Sequence, residues 1–165
     1  MSRRARTHIK LKAYNLTIMN GHHYLRYLIN KHDVSTYFKF SIVRNPYDRF
    51  ISLWKVKQEK FGYSLDEFID LVKARKLPWT ALKAQYTWIS DGGSNLLTDH
   101  LMRYENYLID IKDTLRKLGL PINSLPHLRK SDRSPNYRVY YKNDKQIDFV
   151  TDYYKQDLTN FRYSF

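Results

Sequence analysis

Apolar residues along the chain fall into short dense runs and into stretches where they recur at helical spacing. Residues 37–43 hold the strand formers Phe38, Phe40, Ile42 and Val43 with one charge, Lys39, among them. That composition suits a buried strand. Immediately downstream, Tyr47, Phe50, Ile51 and Trp54 fall at i, i+3, i+4 and i+7, one apolar face of a helix running from 46 to about 59. Pro46 fixes φ and has no N–H to satisfy, which suits a first helical position, and Asn45 before it is a good N-cap. Ser64 and Glu67 have the spacing of a capping box, and Leu65, Phe68, Ile69 and Val72 continue it at helical spacing. Residues 13–19 read as a strand and 24–30 as a short helix. Residues 104–117 read as a helix with Leu108, Ile111 and Leu115 inward and Gly119 as its C-cap, and 144–155 as a last helix. Pro78, Asp91-Gly92-Gly93 and Ser94 mark turns in the mixed segment 76–98, and 120–143 is long, basic and Tyr-rich. Alternating strands and helices predict an α/β sheet.

Arg44 stands where the predicted strand meets the predicted helix. At such a place the helix dipole, unpaired N–H groups and a guanidinium fork all favour a phosphate. The competing reading is a structural corner in which Arg44 pairs with Asp48, one helical turn on. On spacing alone the two readings have equal standing.

The stretch V-R-N-P-Y-D-R-F-I-S-L-W at residues 43–54 resembles the 3′-phosphate-binding motif of sulfotransferases that use 3′-phosphoadenosine 5′-phosphosulfate (PAPS). The resemblance is closest to the carbohydrate sulfotransferase-like branch, which includes bacterial and phage members. Other segments resemble further family elements in the right order. Gly21-His22-His23 is similar to the G-H element. Gln85, in Ala84-Gln85-Tyr86-Thr87-Trp88-Ile89, is similar to a Gln that precedes a short strand. Met102-Arg103-Tyr104-Glu105-Asn106-Tyr107 resembles R-F/Y-E-N-L. From Pro126-His127-Leu128 through Ser131, Tyr137, Tyr141 and Asp157 to Phe161-Arg162-Tyr163-Ser164-Phe165, the chain resembles the carboxyl-terminal pattern that closes on F-x-Y-x-F. The likeness runs from about residue 20 to 165, with the basic stretch 1–12 outside it.

The resemblance implies a single sulfotransferase-like domain across 1–165, with a P-loop-kinase-like three-layer sandwich and a parallel sheet. It implies transfer of a sulfuryl group from PAPS to a hydroxyl of a carbohydrate-type acceptor, without a metal. Arg44 and Ser52 match the residues that bind the cofactor's 3′-phosphate. Lys130, Ser131 and Arg133 match a loop that closes near the nucleotide, with a solvated basic loop the alternative of equal standing. His22 matches the general base, a role suited to a side chain of pKa about 6.5, and His23 is the adjacent candidate. Without the resemblance, a His pair at a strand end reads first as a hydrogen-bonded turn. One family element has no counterpart: the opening strand and turn of type P-K-T/A-x-G-T/S, which holds the 5′-phosphosulfate. Residues 1–20 contain no such run, so the expectation is a sheet lacking its first strand. A truncated, split or degenerate chain each accounts for that. Two alternatives stand beside the enzyme: a noncatalytic relative that binds adenosine 3′,5′-bisphosphate or an anionic glycan, and a basic nucleic-acid-binding protein.

Charge bears on these alternatives. The 165 residues carry 29 Lys+Arg against 16 Asp+Glu, a net charge of +13 that attracts polyanions. No zinc-finger spacing or RNP-type aromatic motif accompanies it, so no specific nucleic-acid partner is expected. The absence of Cys excludes disulfides and thiolate metal sites. His8, His32, His100 and His127 lack metal-ligand spacing. No apolar run approaches the roughly 20 residues of a membrane span, and no apolar stretch follows the basic start. A bacterial or phage-like cytoplasmic protein is the expectation, with the Golgi lumen the alternative for a piece of an anchored eukaryotic enzyme. Among the 15 Tyr, Tyr137, Tyr140 and Tyr141 are expected to pack rather than stack on adenine. Trp54 and Trp88 are expected in the core, and Arg103 and Glu105 in a structural role, with Glu105 pairing to Arg103 or capping.

Overall fold

The computed structural model describes residues 24–77, 80–122 and 132–165. The strand predicted at 13–19, and with it His22 and His23, lies outside them. The elements in order are α1 (Leu25–Lys31), β1 (Phe40–Val43), α2 (Pro46–Phe61), α3 (Leu65–Lys73), α4 (Tyr86–Ile89), β2 (His100–Arg103), α5 (Tyr107–Lys117), α6 (Asp144–Tyr153) and α7 (Lys155–Phe161). Among the described residues the sheet is β1 paired in parallel with β2, in a register running from Phe40 opposite His100 to Val43 opposite Arg103. A parallel pair needs a long crossover, and α2, α3 and α4 supply it.

The local signals explain α2 and α3. Asn45 accepts a hydrogen bond from the Tyr47 N–H at 3.0 Å, Pro46 follows at the first position, and Gly62 ends α2 in the left-handed region at φ +74°. Ser64 and Glu67 close both bonds of the capping box at the start of α3. The apolar face of α2, Tyr47, Phe50, Ile51 and Trp54, meets Leu65, Phe68, Ile69 and Val72 of α3, with Val150 and Tyr154, in one core. A second cluster of Val43, Tyr86, Ile89 and Phe161 lies under β1. Tyr141 is buried, and Tyr137 and Tyr140 pack against the main core as expected.

Several expectations need correction. The strand is shorter than 37–43, and Phe40 and Ile42 are both 44% exposed. Alternation sends Val43 to the second cluster and Ile42 to the opposite face. There α5 covers Met102 of β2 through Thr114, whose hydroxyl donates to Met102 Sδ at 3.1 Å, but leaves β1 open. Leu108 is 62% exposed rather than inward, because Thr114 and not Leu108 occupies the buried position of α5. Residues 104–106 form a 3-10 turn before α5. Gly119 follows the helix at φ +65°, with Gly119 N–H bonded to Arg116 O and Leu120 N–H to Leu115 O. The last predicted helix divides at Tyr154 into α6 and α7. Gln85 precedes helix α4 and not a strand. Trp88 is half-buried, stacked on Tyr24 with ring centroids 4.7 Å apart.

Candidate functional site

The turn from β1 into α2 is held by side chains from distant segments. Gln85 grips Arg44 by its main chain: the Arg44 N–H donates to Gln85 Oε1 at 2.9 Å, and Gln85 Nε2 donates to the Arg44 carbonyl at 2.8 Å. Asn45 N–H donates to Glu105 Oε1 at 2.7 Å. The Asn45 carbonyl accepts from Arg49 N–H at 2.9 Å, the first bond of the helix. Every backbone polar group of these two residues is therefore satisfied within the protein, and the Arg44 side chain is left to do other work.

That side chain lies at the carboxyl end of β1, beside the amino-terminal end of α2. Its Nε donates to Asp48 Oδ2 at 2.6 Å, and its guanidinium carbon stands 4.4 Å from the centre of the Tyr104 ring. The other oxygen of Asp48 accepts from Arg133 Nη2 at 2.6 Å. The side chains of Arg44, Asp48 and Arg133 are 18%, 13% and 8% exposed. One carboxylate thus draws two guanidinium groups together and leaves the cluster with a net positive charge. The pairing occupies one nitrogen of Arg44, whose two terminal nitrogens have no partner among the described residues. Arg133 Nη1 donates to Ser134 O at 3.2 Å, and its Nε is buried with no hydrogen-bond partner. Unused donors on paired cations, at a strand end beside a helix N-terminus, are groups of the kind that can hold an anion.

The structural reading of Arg44 is the one seen directly. It pairs with Asp48 as a corner, and its two terminal nitrogens have no partner among the described residues. Ser52 follows Asp48 at i+4 on α2, half-buried, and its hydroxyl makes no hydrogen bond among the described residues. Lys130 and Ser131, like His22 and His23, lie outside the described residues. Arg103 and Glu105 do not pair with each other. Arg103 donates to Phe161 O at 2.6 Å and packs over the Tyr163 ring, whereas Glu105 takes the Asn45 N–H and the Tyr163 hydroxyl, the latter at 2.8 Å. Surface grooves lined by Leu25, Leu28, Phe38, Phe40 and Trp88 open near the opposite end of β1. In an α/β sheet, ligands commonly bind beyond the carboxyl ends of strands, which makes the Arg44 corner a better candidate than that groove.

The sequence model of the sulfotransferase family matches residues 3–164. The chain belongs to the sulfotransferase family. No curated protein and no solved structure gives a significant match.

Behind the corner of this sulfotransferase stands a residue that the sequence offered only as part of a pattern. Asp157, on α7, is fully buried and accepts from Gln85 N–H at 2.8 Å and Tyr86 N–H at 2.7 Å. Burial raises its carboxyl above the ordinary Asp value, against the opposing pull of those two N–H donors. Gln85 Nε2 also lies 3.4 Å from Asp157 Oδ2. Only the family-like Gln85 and the closing pattern signalled this arrangement, and neither said that the two meet.

Proposed function

We propose that this sulfotransferase takes PAPS as its donor and transfers the sulfuryl group to a hydroxyl of a carbohydrate-type acceptor. The observation that supports the reading best is the gathering of Arg44 and Arg133 on Asp48 at the carboxyl end of β1, with guanidinium donors to spare. Arg44 and Ser52 hold the 3′-phosphate, and Arg133 reaches it from the other side of Asp48. Lys130 and Ser131, close to Arg133 in the sequence, add further contacts to the nucleotide. When bound, the donor supplies an activated sulfuryl group that an acceptor hydroxyl can attack, with adenosine 3′,5′-bisphosphate as the leaving product. His22, or His23 beside it, takes the proton from that hydroxyl. The carbohydrate acceptor rests on the branch that residues 43–54 resemble, and the charge of +13 suits an anionic donor.

Calorimetric titration with adenosine 3′,5′-bisphosphate at physiological salt tests the donor. Binding is expected, and Arg44→Ala should weaken it at least about tenfold, the scale of one lost charge-assisted contact. No binding, or binding indifferent to Arg44→Ala, would overturn the reading. Turnover with labelled PAPS over a panel of glycan acceptors tests the reaction, and His22→Ala and His23→Ala assign the base. Binding without turnover on any acceptor would favour a noncatalytic nucleotide-binding relative.

A further inference from the structure

We infer that Gln85, fixed by Asp157, is a positioning residue for the anion site: its amide locks the Arg44 main chain so that the free guanidinium nitrogens stay aimed at the ligand. This rests on the reading of Arg44 as a 3′-phosphate contact. Arg44 is the first residue past β1, beyond the last paired position, Val43 opposite Arg103. A residue there has lost the sheet's hydrogen bonds, and its φ and ψ are free to drift unless something replaces them. Gln85 replaces them with both a donor and an acceptor, at 2.8 and 2.9 Å. The two bonds restrain the peptide groups on both sides of the Arg44 Cα, and so the direction in which its side chain leaves the backbone.

The chemistry of the clamp is restrictive. Glu carries no donor for the Arg44 carbonyl, and Asn is one methylene shorter. Met has the length of Gln but no polar head. Gln85 must itself be held, since a long side chain loses rotamer freedom when it grips. Asp157 holds it by accepting the Gln85 N–H, with Gln85 Nε2 close by. A buried carboxylate is a costly way to anchor a helix start if the anchor has no further purpose. Its position on α7 also links the site to an element that supplies Phe161 to the cluster under β1.

The test is a double-mutant cycle read with two ligands. Wild type, Gln85→Met, Arg44→Ala and the double variant are titrated with adenosine 3′,5′-bisphosphate and with adenosine 5′-phosphate, which lacks the 3′-phosphate. Gln85→Met is expected to lose about tenfold in affinity for the bisphosphate and to leave the monophosphate unchanged. In the Arg44→Ala background, the same substitution is expected to cost nothing more. A Gln85→Met protein with wild-type selectivity between the two ligands, or losses that add in the double variant, would overturn the positioning role while leaving the 3′-phosphate reading intact. A wild type that does not prefer the bisphosphate would overturn both. Should Gln85→Met fail to fold, Gln85→Glu keeps the side chain's shape and reads the same cycle with the same outcomes.

Discussion

The side-chain amide of Asn45 donates to the carbonyl oxygen of Ser164, 3.1 Å away and 119 positions along the chain. The same nitrogen donates to the Tyr137 hydroxyl at 3.2 Å, while the amide oxygen caps α2. One residue thus starts the helix and fastens two remote segments to it. Asp is as good an N-cap as Asn but has no hydrogen to give. Asn45→Asp should therefore lose about 1–3 kcal/mol of stability although the cap survives. Urea unfolding measures it, and an unchanged midpoint would mean that the two donated bonds contribute nothing.

Asp48 is the single carboxylate between two largely buried guanidinium groups. Removing one partner of such a cluster leaves uncompensated charge, at a cost of about 3–5 kcal/mol for a fully buried pair. Asp48→Asn is expected to unfold earlier than wild type, and sulfate or phosphate should restore more of the loss than it adds to wild type. Melting curves across a salt series, with chloride as the control, distinguish a specific anion effect from screening. Equal gains in both proteins would count against an anion site here.

The family resemblance carried no information on how Glu105 is used, and its partners give a direct test. One carboxylate oxygen takes the Asn45 N–H and the other the Tyr163 hydroxyl. Glu105→Gln keeps an acceptor for the Asn45 N–H and presents an NH2 to the Tyr163 hydroxyl, which must then accept rather than donate, so a charge-assisted bond becomes a neutral one. About 1 kcal/mol of destabilisation is expected, at the low end because Glu105 is exposed. Tyr163→Phe in the Glu105→Gln background should add less than it does alone, since the two share a bond.

Alkaline pH should loosen the fold through tyrosine. Burial raises Tyr141, Tyr154 and Tyr163 above their ordinary 10.0, and Glu105 adds to the effect on Tyr163. Each donates its hydroxyl to an oxygen, Tyr47 O, Leu82 O and Glu105 Oε2 respectively. Above pH 10 the unfolded chain releases these protons while the folded chain keeps them. The unfolded state then binds fewer protons, so stability is whole below pH 10 and falls as pH rises beyond it. Tyrosinate absorbance is expected to show a late class that appears together with unfolding, and Tyr154→Phe should shrink that class.

What was legible in the sequence was local. Pro46, the N-cap Asn45, the Ser64–Glu67 box and the helical spacing of Phe50, Ile51 and Trp54 act over one or two turns, and α2 and α3 appear as read. Arg44 with Asp48 was legible as a spacing for the same reason. Arg133 joins them from 85 positions away, and Gln85 meets Arg44 across 41. No periodicity reports such meetings. Leu108 fails differently: apolar character and spacing were right for an inward position, but the face that α5 buries is set by Met102 on β2, through Thr114.

The corner at Arg44 has a consequence for the order in which the protein is assembled. A ribosome delivers Arg44, Asn45 and Asp48 early, and the groups that shape them, Gln85, Glu105, Arg133, Tyr137, Asp157 and Ser164, follow one after another. Each of these contacts closes a long loop and so forms late for entropic reasons as well. A nascent chain that has not reached Ser164 holds the arginine without the last of these contacts. The corner therefore matures only as these distant segments come into place.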